Sequence, residues 1–305
     1  MNFEDLIAKV KTCGKQKLAV AAAEDDAVLE AVDAAHKQGI ADAILVGDEA
    51  AIRKIAAELN IDLSDYEIIN EPDKVQASLK AVKLAHDGVA NMYMKGLLDT
   101  KTFLKSVLDK EVGLRTGRQL NVLTCYDVPT EPKLFFITDG GMTVAPALAD
   151  KAEILHNAVP VLHHMGIAEP KIAILAANEK PSPKMPATMD AKALCEMAAS
   201  GELPAGIYEG PIAFDVAMRP EAAAEKGITS RVSGDVDLFL VPNIETGNCL
   251  GKAIGYFGHC QTAGIVVGAA APVVMSSRAA SIEGKVTSIA WAILACGDEQ
   301  TEERS

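Results

Sequence analysis

Lys17-Leu18-Ala19-Val20-Ala21-Ala22-Ala23, followed by a segment from Asp26 to Lys37 and then Ala43-Ile44-Leu45-Val46-Gly47, is the stretch that decides the fold. The first and third pieces are short apolar runs without alternation, the pattern of strands buried on both faces. The piece between them has helical periodicity and stops at Gly39. Strand, helix and strand at this spacing require a crossover, and a crossover implies parallel pairing. The expectation is a doubly wound α/β sheet.

Working outward, residues 3 to 12 read as a short amphipathic helix before the first strand. After it the alternation continues: helices at 49–59 and 74–86, strands at 67–69 and 90–94, the latter ending at Lys95-Gly96. A helix at 102–108 leads to a glycine-hinged loop, residues 113–118, that carries Arg115 and Arg118. Strands are expected at 121–125 and 134–137, then a turn, Thr138-Asp139-Gly140-Gly141-Met142-Thr143, whose glycines permit close approach of backbone to a ligand. Residues 146–165 are helical in pattern, with Pro160 expected to kink or split them. The strand at 171–175 runs into Asn178-Glu179-Lys180-Pro181-Ser182-Pro183-Lys184-Met185-Pro186, a stiff basic loop that suits either a surface connection or a clamp. A helix at 189–199, a turn at 210–215, a helix at 221–226 and a strand at 238–243 follow. Glu245 to Lys252 then reads as a polar Gly-Asn turn entering a helix, with Lys252 about one turn in.

The same strand, turn and helix grammar recurs at Pro272-Val273-Val274-Met275-Ser276-Ser277-Arg278. Ile282, Val286, Ile289 and Ile293 recur at helical spacing beyond it, Ser281 stands as the N-cap and Gly297 as the C-cap. A helix N-terminus favours anions, and ligands of open α/β sheets collect at the carboxyl ends of strands. Ser277 and Arg278 therefore occupy a place suited to a phosphate-bearing substrate.

A chain of 305 residues is long enough for two cores, and a net charge of −13 argues against general nucleic-acid binding and against anionic membrane surfaces. Six cysteines, at 13, 125, 195, 249, 260 and 296, show neither a C-x-x-C pair nor zinc-like spacing and read as free thiols. The first residues carry acids where an export signal needs cations, and the longest apolar run, 264–275, is too short to span a bilayer, so a cytoplasmic location is expected. Adjacent His163 and His164 point in different directions on a helix and cannot share a metal as an i, i+4 pair would. No metal site is expected. Neither a G-x-S-x-G elbow nor a P-loop occurs, which disfavours a serine hydrolase or an NTPase.

Five motifs in order give the chain a resemblance. They are Thr138 to Met142; Asn178-Glu179-Lys180 through Pro183-Lys184-Met185-Pro186-Ala187-Thr188; Gly210-Pro211-Ile212-Ala213-Phe214-Asp215; Val241-Pro242-Asn243-Ile244-Glu245-Thr246-Gly247-Asn248 with Lys252; and Pro272 to Arg278. Together they resemble the phosphate acetyl/butyryl transferase family, densely from about residue 90 onward. The resemblance implies two three-layer α/β domains with a cleft between them, of the isocitrate/isopropylmalate dehydrogenase type. It places residues 1–142 plus 268–305 in one domain and 143–267 in an inserted second. It also implies transfer of a short acyl group, butyryl or branched, from coenzyme A to inorganic phosphate, with both as substrates and no metal or bound cofactor, by a homo-oligomer of at least two chains.

Both reactants are polyanions, and the tetrahedral intermediate adds an oxyanion, so fixed donors and cations are needed. Arg278, whose planar fork pairs two oxygens at once, is the phosphate clamp that the resemblance implies, with Ser277 as a donor. Lys252, Asn248, the Thr138–Asp139–Gly140–Gly141 turn and Lys184 are candidate substrate-binding elements, each with a structural alternative: a solvated charge, a cap or a turn. In the acetyltransferase branch an Asp six residues after the catalytic Arg is assigned as base for the CoA thiol. Here that position is Gly284, with Glu283 before it. Glu283 at a helix N-terminus would be a weak base. Phosphate acetyl transfer, a catalytically silent acyl-CoA sensor, and an oxidative decarboxylase on a related fold stand as alternatives; the last would need an acidic metal triad that the sequence lacks.

Overall fold

In the computed structural model residues 1–276 and 280–295 are described. The chain forms two compact units, 1–118 with 262 onward, and 119–261. The resemblance puts the crossings after 142 and 267; compactness puts them at 118 and 261. The reason is pairing: the strands at 121–127 and 135–138 hydrogen-bond to each other and onward to the strand at 238–240, so they belong with the second unit.

Along the first unit lie α1 (Phe3–Val10), β1 (Gln16–Ala21), α2 (Asp26–Lys37), β2 (Ala41–Gly47), α3 (Glu49–Glu58), β3 (Glu67–Asn70), α4 (Lys74–His86), β4 (Met92–Lys95) and α5 (Thr100–Val107). The helices start where short polar side chains accept from the first free N–H groups: Asp25, Asp48, Asp73 and Asp99 each cap one. β1 pairs in parallel with β2 and β4, and β2 with β3, which gives the order β3-β2-β1-β4. The chain steps outward from β1 to β3 and then returns across it to β4. Right-handed crossovers therefore send α2 and α3 to one face and α4 to the other, where α4 meets α5. The point of return, between β1 and β4, is the switch point at which ligands of such sheets bind.

The second unit contains β5 (Asn121–Asp127), β6 (Phe135–Thr138), α6 (Leu148–His164), β7 (Lys171–Leu175), α7 (Pro186–Ala199), β8 (Ile207–Ile212), α8 (Phe214–Met218), α9 (Pro220–Glu225), β9 (Leu238–Leu240) and α10 (Ile244–Phe257). Its strand order is β5-β6-β9-β7-β8, parallel except for the β5–β6 hairpin. Three expectations change here. Gly210-Pro211 is not a turn but lies within β8; as the sheet's edge strand, β8 can accommodate a residue without an N–H. Pro160 does not divide α6, whose Ala158, Val159, Val161 and Leu162 are buried on both sides of it. The polar stretch Glu245–Lys252 is already helix, because Asn243 caps α10 and Gly247 and Gly251 are its buried contact face.

The first unit is then completed by β10 (Gln261–Val267), β11 (Val273–Val274) and α11 (Ile282–Ala295). β11 runs antiparallel to β10 and parallel to β4. α11 packs on α2 and α1 and is buried from Gly284 to Leu294, including Trp291. Gly297 lies outside the described residues.

Candidate active site

At the C-terminal edge of the first unit's sheet, β1 ends beside Glu24 and Asp25, β4 ends in Lys95, and β11 leads toward the N-terminus of α11. Ser277 and Arg278 fall outside the described residues, and the elements on either side of them are the observable frame. Ser281 caps α11 as expected: its Oγ accepts the Gly284 N–H at 3.1 Å. Glu283 is exposed in the first turn. Gly284 is buried, and a Cβ there would stand 2.9 Å from the Thr262 carbonyl oxygen. Ser288 tightens the same contact, donating to the Gly284 carbonyl at 2.8 Å and accepting the Gly264 N–H at 3.0 Å. The helix is thus drawn against β10 at the one position where the acetyltransferase branch is assigned its base.

Two residues of this edge escaped the sequence reading. Lys285 is only 4% exposed and folds back to donate to the Ala280 carbonyl at 2.7 Å. Burial pulls its ammonium below the ordinary lysine range, against the opposing pull of the Asp25 carboxylate. A lysine one turn into an apolar helix was the available signal. Glu24 holds one carboxylate oxygen buried without a hydrogen-bond partner among the described residues. Nothing in its local sequence marks it.

In the second unit the Thr138–Gly141 turn closes β6 beside the first turn of α10. Thr138 is fully buried, its hydroxyl donating to the Val122 carbonyl (2.9 Å) and accepting from the Asn121 carboxamide (2.9 Å), which Asn157 supports in turn (2.9 Å). The Asp139 carboxylate accepts the N–H groups of Val122, Gly141, Met142 and Thr143 at 2.9–3.3 Å. It organises the turn and occupies donors that a phosphate would otherwise use. Gly140 allows close approach, here to α10: a Cβ on Gly140 would be 2.9 Å from the Gly247 carbonyl carbon, and one on Gly247 2.6 Å from the Gly140 Cα. At Gly141 a Cβ would press on Val122 at 3.0 Å. Asn248, exposed, donates to the Gly140 carbonyl at 3.3 Å, so turn and helix are stitched together.

Lys252 is exposed on the next turn of α10, and Lys184 is exposed on the loop after β7; neither has an ion pair among the described residues. That loop is held stiff from within. Ser182 N–H donates to Thr188 Oγ1 (2.8 Å), the Thr188 hydroxyl donates to the Met185 carbonyl (2.7 Å), and Lys226 fixes Glu179 (2.9 Å). Among the described residues no cluster of His, Cys, Asp and Glu can hold a metal, and His163 hydrogen-bonds the Ala205 carbonyl.

The phosphate acetyl/butaryl transferase family matches residues 2–78 and 73–293 of the chain. Phosphate butyryltransferase of Clostridium acetobutylicum is 47% identical over 298 residues, covering 98% of this chain and 99% of that one. Phosphate acetyltransferase of Rhizobium meliloti is 38% identical over 293 residues, covering 96% and 93%. Among solved structures, a branched-chain phosphotransacylase from Enterococcus faecalis V583 superposes with a TM-score of 0.81 at 32% identity, covering 92% of this chain and 98% of that one. The fold and these likenesses make the protein an acyltransferase. It belongs to the phosphate acetyl/butaryl transferase family.

Proposed function

We propose that the chain catalyses reversible transfer of a short acyl group, butyryl or a branched relative, between coenzyme A and inorganic phosphate. The likeness to phosphate butyryltransferase over nearly the whole length carries this reading, and that to a branched-chain phosphotransacylase supports it. A phosphate oxygen attacks the thioester carbonyl, the tetrahedral adduct expels the CoA thiolate, and the thiolate takes up a proton. Arg278 clamps the phosphate and Ser277 donates to phosphate or oxyanion. The N-terminal end of α11 supplies N–H groups and a positive dipole end. Lys285 adds a fixed ammonium within that first turn. Lys252 is a second candidate for the phosphate, Asn248 a candidate substrate donor, and Lys184 on the proline-stiffened loop helps close over the substrate. Phosphate is already partly dianionic near neutral pH, so the forward attack needs no strong base; Glu283 is the candidate base that takes the CoA thiol proton in the reverse direction. The reaction uses no metal or bound cofactor, and the working form is a cytoplasmic homo-oligomer of at least two chains.

The test is release of CoA thiol from butyryl-CoA. It should require phosphate, favour butyryl or isobutyryl over acetyl, and fall ~100-fold or more in Arg278→Ala. Thiol release that is indifferent to phosphate would make the protein a thioesterase and sink the reading.

A further inference from the structure

The second unit has a switch point of its own. From β7 the chain steps outward to β8 and then returns across β7 to β9, so the carboxyl ends of β7 and β9 lie side by side while their connections lead apart. A cavity of about 410 Å³ opens there, and every residue that lines it belongs to this unit. It gathers the end of β7, the residues after β9, and the first turns of α7, α8 and α10. Leu175, Phe214, Pro242 and Leu250 make its walls hydrocarbon, and Ala177 and Ala187 leave open the space that larger side chains would fill. The polar side chains on the wall are largely engaged already. Thr188 Oγ1 accepts the Ser182 N–H at 2.8 Å and donates to the Met185 carbonyl at 2.7 Å. The Thr246 hydroxyl donates to Asn243 Oδ1 at 2.8 Å, and the same oxygen accepts the Thr246 N–H at 2.9 Å. Among the described residues only the Asn243 NH2 is left without a partner on this wall.

We propose that this cavity takes the acyl chain of the CoA thioester and sets the chain-length preference, with Ala177 and Ala187 the residues that keep it open to four carbons or more. This rests on the acyltransferase reading above. Of the parts of an acyl-CoA, the chain is the one that such walls suit. A purine brings ring nitrogens and an amine that would be buried here unpaired, and the pantetheine arm brings two amides; an alkyl chain has nothing to leave unsatisfied. Size agrees. An apolar cavity of ~150 Å³ holds the six carbons of benzene, so a butyryl or a five-carbon branched chain fits, whereas acetyl would cover little of the wall. Met185, 40% exposed and part of the lining, is unbranched and flexible, and can follow straight and branched chains alike. Each methylene taken out of water is worth roughly fourfold in affinity.

Calorimetric titration of the full chain with free CoA and with acetyl- and butyryl-CoA, in the absence of phosphate, separates the chain from its carrier. The wild type should bind butyryl-CoA about 15-fold more tightly than acetyl-CoA, two methylenes' worth. Ala187→Leu, in the first turn of α7, and Ala177→Leu, on the loop before it, each checked for native circular dichroism, should cut that advantage to ~3-fold or less. Equal weakening of free CoA and both thioesters would place the nucleotide or the pantetheine arm in the cavity and overturn the assignment. An advantage that survives both variants, or none in the wild type, would overturn the pocket and leave the acyltransferase reading standing. If the wild type binds neither thioester, both fall.

Discussion

Gly284 sits where a side chain has nowhere to go. Its ideal Cβ is 2.9 Å from the Thr262 carbonyl oxygen and 3.4 Å from the Ser281 Oγ. Placing a carboxylate there sets negative charge against a carbonyl lone pair, and the helix dipole returns only ~0.5–1 kcal/mol. Gly284→Asp should therefore lose about 2–4 kcal/mol in urea unfolding, followed by Trp291 emission from the same helix, and gain no thiol-exchange rate. A variant as stable as the wild type and faster would mean that this branch simply lacks a base that it could use. The sequence made this departure legible but not its cause, because Thr262 is distant along the chain. The same limit applies to Thr138 and Asp139. Their motif reads as ligand-facing, yet the groups that engage their side chains, Asn121, Val122 and Thr143, are recognised only once the β5–β6 hairpin and the turn are folded. Glu24 went unread because burial of one carboxylate oxygen leaves no local pattern, whereas Lys285 carried a signal, a lysine one turn into an apolar helix, that periodicity alone does not weigh.

At the scale of elements, periodicity was a good guide wherever one face of a helix meets the core, as in α2 and α4, and wherever a strand is buried on both sides, as in β1 and β2. It failed at α10. Glycine and asparagine in Glu245–Lys252 imitate a turn, since isolated glycine costs a helix ~1 kcal/mol. Here packing overrides propensity: a Cβ at Gly247 would strike Gly140, and one at Gly251 would land on the Tyr126 hydroxyl. The two glycines are therefore the flat seat by which α10 lies on the sheet. Gly251→Ala should cost ~1–3 kcal/mol despite its better helix propensity. In a Tyr126→Phe background, which removes the obstructing oxygen, the same substitution should cost at least ~1 kcal/mol less, as a double-mutant cycle by urea denaturation will measure. Strict additivity of the two changes would show that the hydroxyl does not set the helix position.

For the molecule as a whole, continuity of chain distinguishes the two units. The second is a single segment, 119–261, with its own five-stranded sheet and a core built around Phe135, Phe239, Val216 and Val241. A segment of this length buries roughly two thirds of the surface its unfolded chain exposes, enough for independent stability. The first unit is assembled from both ends. β4 finds its outer partner in β11, and α2 finds its cover in α11, both contributed from residue 262 onward. Without them the segment 1–118 leaves a strand edge unpaired and takes away the helix that packs on α2. The segment 119–261 should thus fold alone and unfold in one urea transition by circular dichroism, while 1–118 should give a weak spectrum with no cooperative step. In the full chain the single tryptophan, Trp291, lies in α11 and reports the first unit directly. Its emission should be native only when both ends of the chain are present. A cooperative transition in 1–118 would mean that β10, β11 and α11 decorate that unit instead of completing it.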